Sequence, residues 1–228
     1  MRALARSGPG KLLAALAIAL LLLMAVGCGQ GSPAPKLTPP GELATYLEQG
    51  RTYLEQNKLP EAIAEFEAAL KLDPNSFEAH FRLGNAYTQS GRLDEARDQF
   101  KEALRLDPNS ADAHSNLGVV YYEQNQFDAA ATEFQQALKL QPNDPEILYN
   151  LGGVYVQQNK LDEAVTLFNK ALESNPNQPE PYFGLANVYK LQGKTDQAIE
   201  AADRFLALNP KPEWRTLAEN LLRELKNK

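Results

Sequence analysis

Two histidines, His80 and His114, stand 34 residues apart, and the only cysteine of the 228-residue chain is Cys28. Imidazole pairs ligate metals or move protons, and a thiol is a nucleophile or a point of attachment. A shared metal would need both rings within about 2.0–2.1 Å of one ion. Residues one period apart on neighbouring packed helices lie about 8–10 Å from each other. The histidines are therefore expected to fill core positions, as Tyr46 and Tyr182 do elsewhere in the same 34-residue register. There is no glycine-rich phosphate loop, no Cys/His spacing of a zinc site and no Gly-x-Ser-x-Gly elbow. Neither catalysis nor a cofactor or metal site is expected.

Cys28 has a distinctive setting. Arg2, Arg6 and Lys11 are the charges of residues 1–11, Leu12 to Val26 is an unbroken apolar run of fifteen, and Gly27-Cys28 follows. A basic start, a short apolar run and a small residue at the cut site predict a secretory signal peptide over 1–27. A permanent span would need about 20 apolar residues. Ala25-Val26-Gly27-Cys28 resembles the bacterial lipobox, with alanine where leucine is usual. The resemblance implies that Cys28 becomes the mature N-terminus and is lipidated, palmitate included. That would anchor an exported protein to the cell membrane or outer membrane, facing the periplasm or exterior. Stable anchoring takes more than one acyl chain. Residues 28–42 would then be a flexible tether. Its Gly, Ser and Pro residues build no core, and the thirteen residues of 29–41 reach at most about 45 Å. Without the leader, 20 bases face 29 acids, a net charge of −9. That balance repels phosphate backbones and argues against a nucleic-acid partner.

The remainder repeats itself. Tyr53, Tyr87, Tyr121, Tyr155 and Tyr189 are each 34 residues after the last, as are Ala62, Ala96, Ala130, Ala164 and Ala198. Pro74, Pro108, Pro142, Pro176 and Pro210 keep the same step, and Phe66, Phe100, Phe134 and Phe168 and Gly50, Gly84, Gly118 and Gly152 keep it for four copies. Counting from Leu43, Phe77, Ala111, Pro145 and Pro179 gives units 43–76, 77–110, 111–144, 145–178 and 179–212. Within each, apolar residues at positions 4, 7, 8 and 11 and again at 20, 24, 27 and 28 form two helical stripes. Asn or Gly at position 15 closes the first helix. Asp94, Asp128, Asp162 and Asp196 are expected to N-cap the second, and Ser76, Ser110 and Asp144 the next first helix.

This Leu-Gly-x-x-Tyr, Ala-x-x-x-Phe and Pro pattern resembles the tetratricopeptide repeat. The resemblance implies an all-α, right-handed superhelical solenoid of five helix-turn-helix repeats. In the fifth, Ala202 and Phe205 exchange bulk between two core sites. Residues 213–228, with Trp214, Leu217, Ala218, Leu221, Leu222 and Leu225 at helical spacing, are expected to form the capping helix that such arrays need.

In this family, positions 2, 5, 6, 9, 12 and 13 of the first helices line a concave groove. Here they supply Phe81, Tyr122, Tyr149 and Phe183, with Asn85, Asn116, Asn150 and Asn187 among them. Glu78, Asp112, Glu146 and Glu180 form a row that also suits helix N-termini. Exposed aromatics on such a face mark a binding site. The family's chaperone-type clamp for a C-terminal carboxylate is excluded, because Phe81, Glu146 and Asn150 replace its three cations although Asn85 and Asn116 match. The resemblance implies a monomeric, non-enzymatic scaffold of the bacterial cell envelope. It would bind a protein or peptide in the groove and act on no small-molecule substrate. Architecturally similar lipoproteins include pilotins of type IV pilus or secretion assembly. The alternative is an accessory subunit of an envelope enzyme or signalling complex.

Overall fold

Each 34-residue unit turns on one residue in the left-handed region. Asn57, Gly91, Asn125, Asn159 and Gly193 have φ of 55, 74, 58, 57 and 71°, a conformation that Asn and Gly tolerate best. The next residue's N–H then returns to the carbonyl of the periodic tyrosine, Lys58 to Tyr53 at 2.8 Å and Arg92 to Tyr87 at 2.9 Å. That bond closes the first helix of each unit.

The computed structural model describes residues 41–227, so Cys28, the leader and nearly all of the expected tether lie outside it. Among the described residues are eleven helices and no strand. They are α1 (Glu42–Glu55), α2 (Leu59–Leu72), α3 (Phe77–Gln89), α4 (Leu93–Leu106), α5 (Ala111–Glu123), α6 (Phe127–Leu140), α7 (Pro145–Gln157), α8 (Leu161–Ser174), α9 (Pro179–Leu191), α10 (Thr195–Ala207) and α11 (Pro212–Lys226). None of them is long and apolar enough to cross a membrane. Each of the five units holds one pair, and α11 packs on α10.

The capping scheme holds for the first helices and fails for the second. Ser76 and Ser110 accept from the N–H groups of Ala79 and Ala113 at 3.2 Å, and Asp144 accepts from Glu146 and Ile147 at 2.9 Å. The N-cap positions of the second helices are Lys58, Arg92, Gln126, Lys160 and Lys194, none with a side-chain cap. Asp94, Asp128, Asp162 and Asp196 lie inside the first turn instead, where a carboxylate still meets the positive end of the helix. Three of them bind the following repeat: Gln124, Gln158 and Gln192 donate Nε2 to Asp94, Asp128 and Asp162 at 3.0, 2.8 and 2.8 Å. The cation at the cap position is drawn over the tyrosine ring, at 4.3 Å for Arg92 on Tyr87 and 5.2 Å for Lys160 on Tyr155.

The core is a column of phenylalanines set against glycines. Phe66, Phe100, Phe134 and Phe168 are buried. A Cβ built on Gly50, Gly84, Gly118 or Gly152 would come 2.5, 2.8, 3.0 or 2.5 Å from the ring of its own repeat. Only glycine allows that approach. The fifth repeat makes the expected exchange: Ala186 stands at the glycine position, Ala202 at the phenylalanine position and Phe205 carries the bulk, all three buried.

Both histidines serve as stitches between repeats. His80 places Nδ1 2.7 Å from Gln99 Oε1 and Nε2 3.1 Å from the Pro74 carbonyl. His114 places Nδ1 2.7 Å from Glu133 Oε2 and Nε2 3.1 Å from the Pro108 carbonyl. The Tyr182 hydroxyl donates to the Pro176 carbonyl at 3.4 Å in the same register. Position 4 is thus a buried site for His80 and a half-buried one for His114 and Tyr182, and in each the polar tip holds the preceding turn.

The tyrosine column offers a test in alkaline solution. Tyr87 donates its hydroxyl to Glu67 Oε1 at 2.8 Å. Burial, and then that carboxylate, push its phenol up to about 12. The folded value is raised, so this contribution to stability is fully present below the ordinary phenol value near 10 and fades as pH rises through about 12. Absorbance of phenolate followed with pH should show this tyrosine ionising late. Glu67→Gln should bring it earlier, and an unchanged titration would refute the assignment.

At the C-terminal end, α11 buries Ala218, Leu221, Leu222 and Leu225. Trp214 and Leu217 were expected in the same stripe but are 40% and 53% exposed. Both lie on the first turns of α11, and Trp214 turns toward Phe183, its ring edge-on at 5.5 Å.

Candidate functional site

Successive first helices touch one another: α1 meets α3, α3 meets α5, α5 meets α7 and α7 meets α9. Successive second helices make no comparable contact. The row of first helices is therefore the inside of the curve. Its side chains face a common groove, as positions 2, 5, 6, 9, 12 and 13 imply.

One enclosed part of the groove lies between α5 and α7. A cavity of about 250 Å³ is bounded by Val119, Tyr122 and Glu123 from α5 and by Tyr149, Asn150 and Gly153 from α7, with the core ring of Phe134 beneath. Tyr122, Tyr149 and Asn150 were expected from the sequence and come together here. Val119, Glu123 and Gly153 were missed. For Val119 and Gly153 the signal was the position-9 column, Arg51, Asn85, Val119, Gly153 and Asn187, which drops to a bare glycine at one point, and for Glu123 it was position 13. A Cβ on Gly153 would meet nothing within 4 Å. The helix does not need that glycine, and its absent side chain is what opens the cavity. The Tyr149 phenol is held above its ordinary range by burial first, then by the charge of Glu180 and by Tyr122. Tyr122 accepts a hydrogen bond from Gln157 Nε2 at 3.3 Å.

A second hollow of about 180 Å³ joins Phe81 to Asp112, Ser115, Asn116 and Glu146. Here the carboxylates of Asp112 and Glu146 are exposed, as position 2 implied. Glu78 is paired with Arg82 at 3.4 Å, and Glu180 is half-buried.

Three expectations about the groove need correction. The aromatics are half-buried rather than exposed, because each leans on a ring behind it: Phe81 on Phe100 at 5.9 Å, Tyr122 on Phe127 at 5.6 Å, Tyr149 on Phe168 at 5.8 Å and Phe183 on Phe205 at 5.1 Å. They belong partly to the core, so truncating one costs stability as well as contact area. The asparagines are not equally available. Asn116 donates to Asn85 Oδ1 at 2.8 Å, and Asn187 donates to the Phe183 carbonyl one turn back at 2.8 Å. Among the described residues only Asn150 of the four has no side-chain hydrogen bond. Finally, Trp214 packs on Phe183, so the groove aromatic of the fifth repeat already has a partner from the chain's own α11. The groove aromatics of the second, third and fourth repeats, Phe81, Tyr122 and Tyr149, have no such contact from α11.

Family profiles described as tetratricopeptide repeat match residues 47–111, 115–179 and 155–221. No curated protein matches the chain. Among solved structures, a MamA crystal structure is similar at 26% identity and a TM-score of 0.65, over 70% of this chain and 93% of that one. YrrB, described as a tetratricopeptide protein with an unusual peptide-binding site, is 26% identical with a TM-score of 0.63, over 77% and 90%. PilF of Pseudomonas aeruginosa, at 23% identity and a TM-score of 0.68 over 81% and 88%, shares the fold.

Proposed function

Because the chain belongs to the tetratricopeptide repeat family, a protein-interaction scaffold, we propose that it is a monomeric, non-enzymatic adaptor that holds a protein segment in the groove of α3, α5 and α7. The observation that carries the reading is the cavity between Tyr122 and Tyr149. It offers apolar ring faces, an asparagine with no internal partner and one carboxylate, Glu123, the combination that grips a polypeptide rather than transforms a substrate. The peptide-binding site named for YrrB supports the same use of this architecture. The finer part of the proposal is place. Lipidation at Cys28 would tether the scaffold to a membrane of the cell envelope, in keeping with the basic and apolar leader and the residues around that cysteine. A role in pilus or secretion assembly has only a likeness of fold to PilF behind it.

One experiment with two arms tests this. The full chain is expressed in a bacterial host, labelled with a fatty-acid analogue, crosslinked, and its partner identified and titrated. Label and membrane retention should disappear in Cys28→Ser; equal labelling would sink the tether. Tyr149→Ala should weaken the identified partner by about 2 kcal/mol. Its circular dichroism should show the helices intact at the temperature used. An unaltered affinity would move the binding site out of the groove.

A further inference from the structure

We propose that the cavity between α5 and α7 receives a single aromatic side chain from a partner segment that carries lysine or arginine next to it. The inference rests on the groove reading above and narrows it to one pocket and one residue pattern.

Size sets the kind of occupant. A volume of about 250 Å³ falls below the roughly 300–1,000 Å³ of sites that enclose a drug-sized ligand. It suits one side chain of a longer segment. The shape is kept open by a residue the fold does not require. Gly152 must be glycine because Phe168 presses on it, whereas the position beside it, Gly153, borders open space.

The chain itself shows how an aromatic is received in this register. Phe183 stands one period after Tyr149, leans on Phe205 at 5.1 Å and is met edge-on by Trp214 at 5.5 Å. Tyr149 has the same support, Phe168 at 5.8 Å, and faces the cavity instead of a tryptophan. Edge-to-face pairing of this kind adds to the area buried.

Charge decides what flanks the ring. Neither α5 nor α7 contains a lysine or arginine, while α5 contributes Asp112 and Glu123 and α7 contributes Glu146. An acidic segment would be repelled there, and a basic one would be steered in.

The probe is a fluorescent, end-capped peptide with one tryptophan between two lysines, titrated against the full chain. Matched peptides replace the tryptophan by alanine or the lysines by glutamate. Each replacement is expected to weaken binding about tenfold, the loss typical of an anchor contact. Gly153→Leu should fill the pocket and weaken the tryptophan peptide by about the same factor without lowering the unfolding midpoint. Glu123→Gln with Glu146→Gln should flatten the salt dependence. Equal binding of the alanine or glutamate peptide, no binding of any of the three, or indifference to Gly153→Leu would each overturn the proposal. If Gly153→Leu still holds the identified partner while Tyr149→Ala releases it, this pocket fails and the groove stands. If both variants hold it, the groove fails as well.

Discussion

Phe168→Ala is expected to destabilise the array by about 3–5 kcal/mol, the range for emptying a buried aromatic site. Its ring is 2% exposed and wedged between two helices of different repeats. A Cβ on Gly152 of α7 would lie 2.5 Å from it, and one on Gly184 of α9 would lie 2.8 Å from it. Neither glycine has a side chain that could swing into the space, so the cavity would collapse poorly. The loss should also be local. Repeat arrays are stabilised by nearest-neighbour interfaces, and this one joins the fourth repeat to the fifth. Amide exchange should lose protection first across α7 to α11, with α1 to α4 changed little. The fifth repeat suggests a partial remedy, since there alanine and phenylalanine trade places. Adding Ala171→Phe and Gly152→Ala to Phe168→Ala should recover part of the loss. A urea titration checks all of this, and a cost under about 1 kcal/mol would refute the wedge.

Two adjacent glycines should respond in opposite directions to the same substitution. Gly152→Ala puts a methyl group 2.5 Å from the Phe168 ring, and that ring is blocked from behind by Gly184. Overpacking of this kind costs about 1–3 kcal/mol, more than the helix gains from losing a glycine. Gly153→Ala has open space before it and should stabilise by about 0.5–1 kcal/mol through helix propensity. Thermal unfolding of the two variants decides the matter by sign. If both raise or both lower the midpoint, the packing described here for α7 is wrong.

The contrast shows what a periodic sequence reveals and what it hides. Gly152 belongs to a column that repeats every 34 residues, and its role could be inferred from that recurrence. Gly153 stands in the position-9 column, whose residue type changes from repeat to repeat, so only the structure shows that it opens a cavity. The same division holds elsewhere. Helix pairs, left-handed turns at Asn57 and Gly91, and the exchange of Ala202 with Phe205 follow from spacing and residue type. The carboxylate of Asp94 does not, because its partner Gln124 lies in the next repeat and the cap position is taken by Arg92 over a tyrosine. Position 5 was legible as groove-facing, yet a ring there is wide enough to touch the core as well, which alternation along a helix does not register. Trp214 was read as one more member of an apolar stripe. Its ring turns instead onto Phe183, a choice set by the two helices' relative placement rather than by the pattern of α11.

The stitches between repeats have a consequence for how the chain could be assembled in time. Gln124 reaches Asp94 across 30 positions, Asn116 reaches Asn85 across 31, and Gln157 reaches Tyr122 across 35. No side-chain hydrogen bond among the described residues spans more than 35. Contacts this local keep the entropy of closure small and favour rapid folding. A strand of chain delivered from its N-terminus would never have to wait for a distant segment. Once the first repeats, from residue 43 onward, have emerged, neighbouring units can begin to stack, and every later unit adds itself to an existing surface. The fold is thus suited to vectorial folding, growing at the rate of delivery, with α11 packing on α10 in its turn.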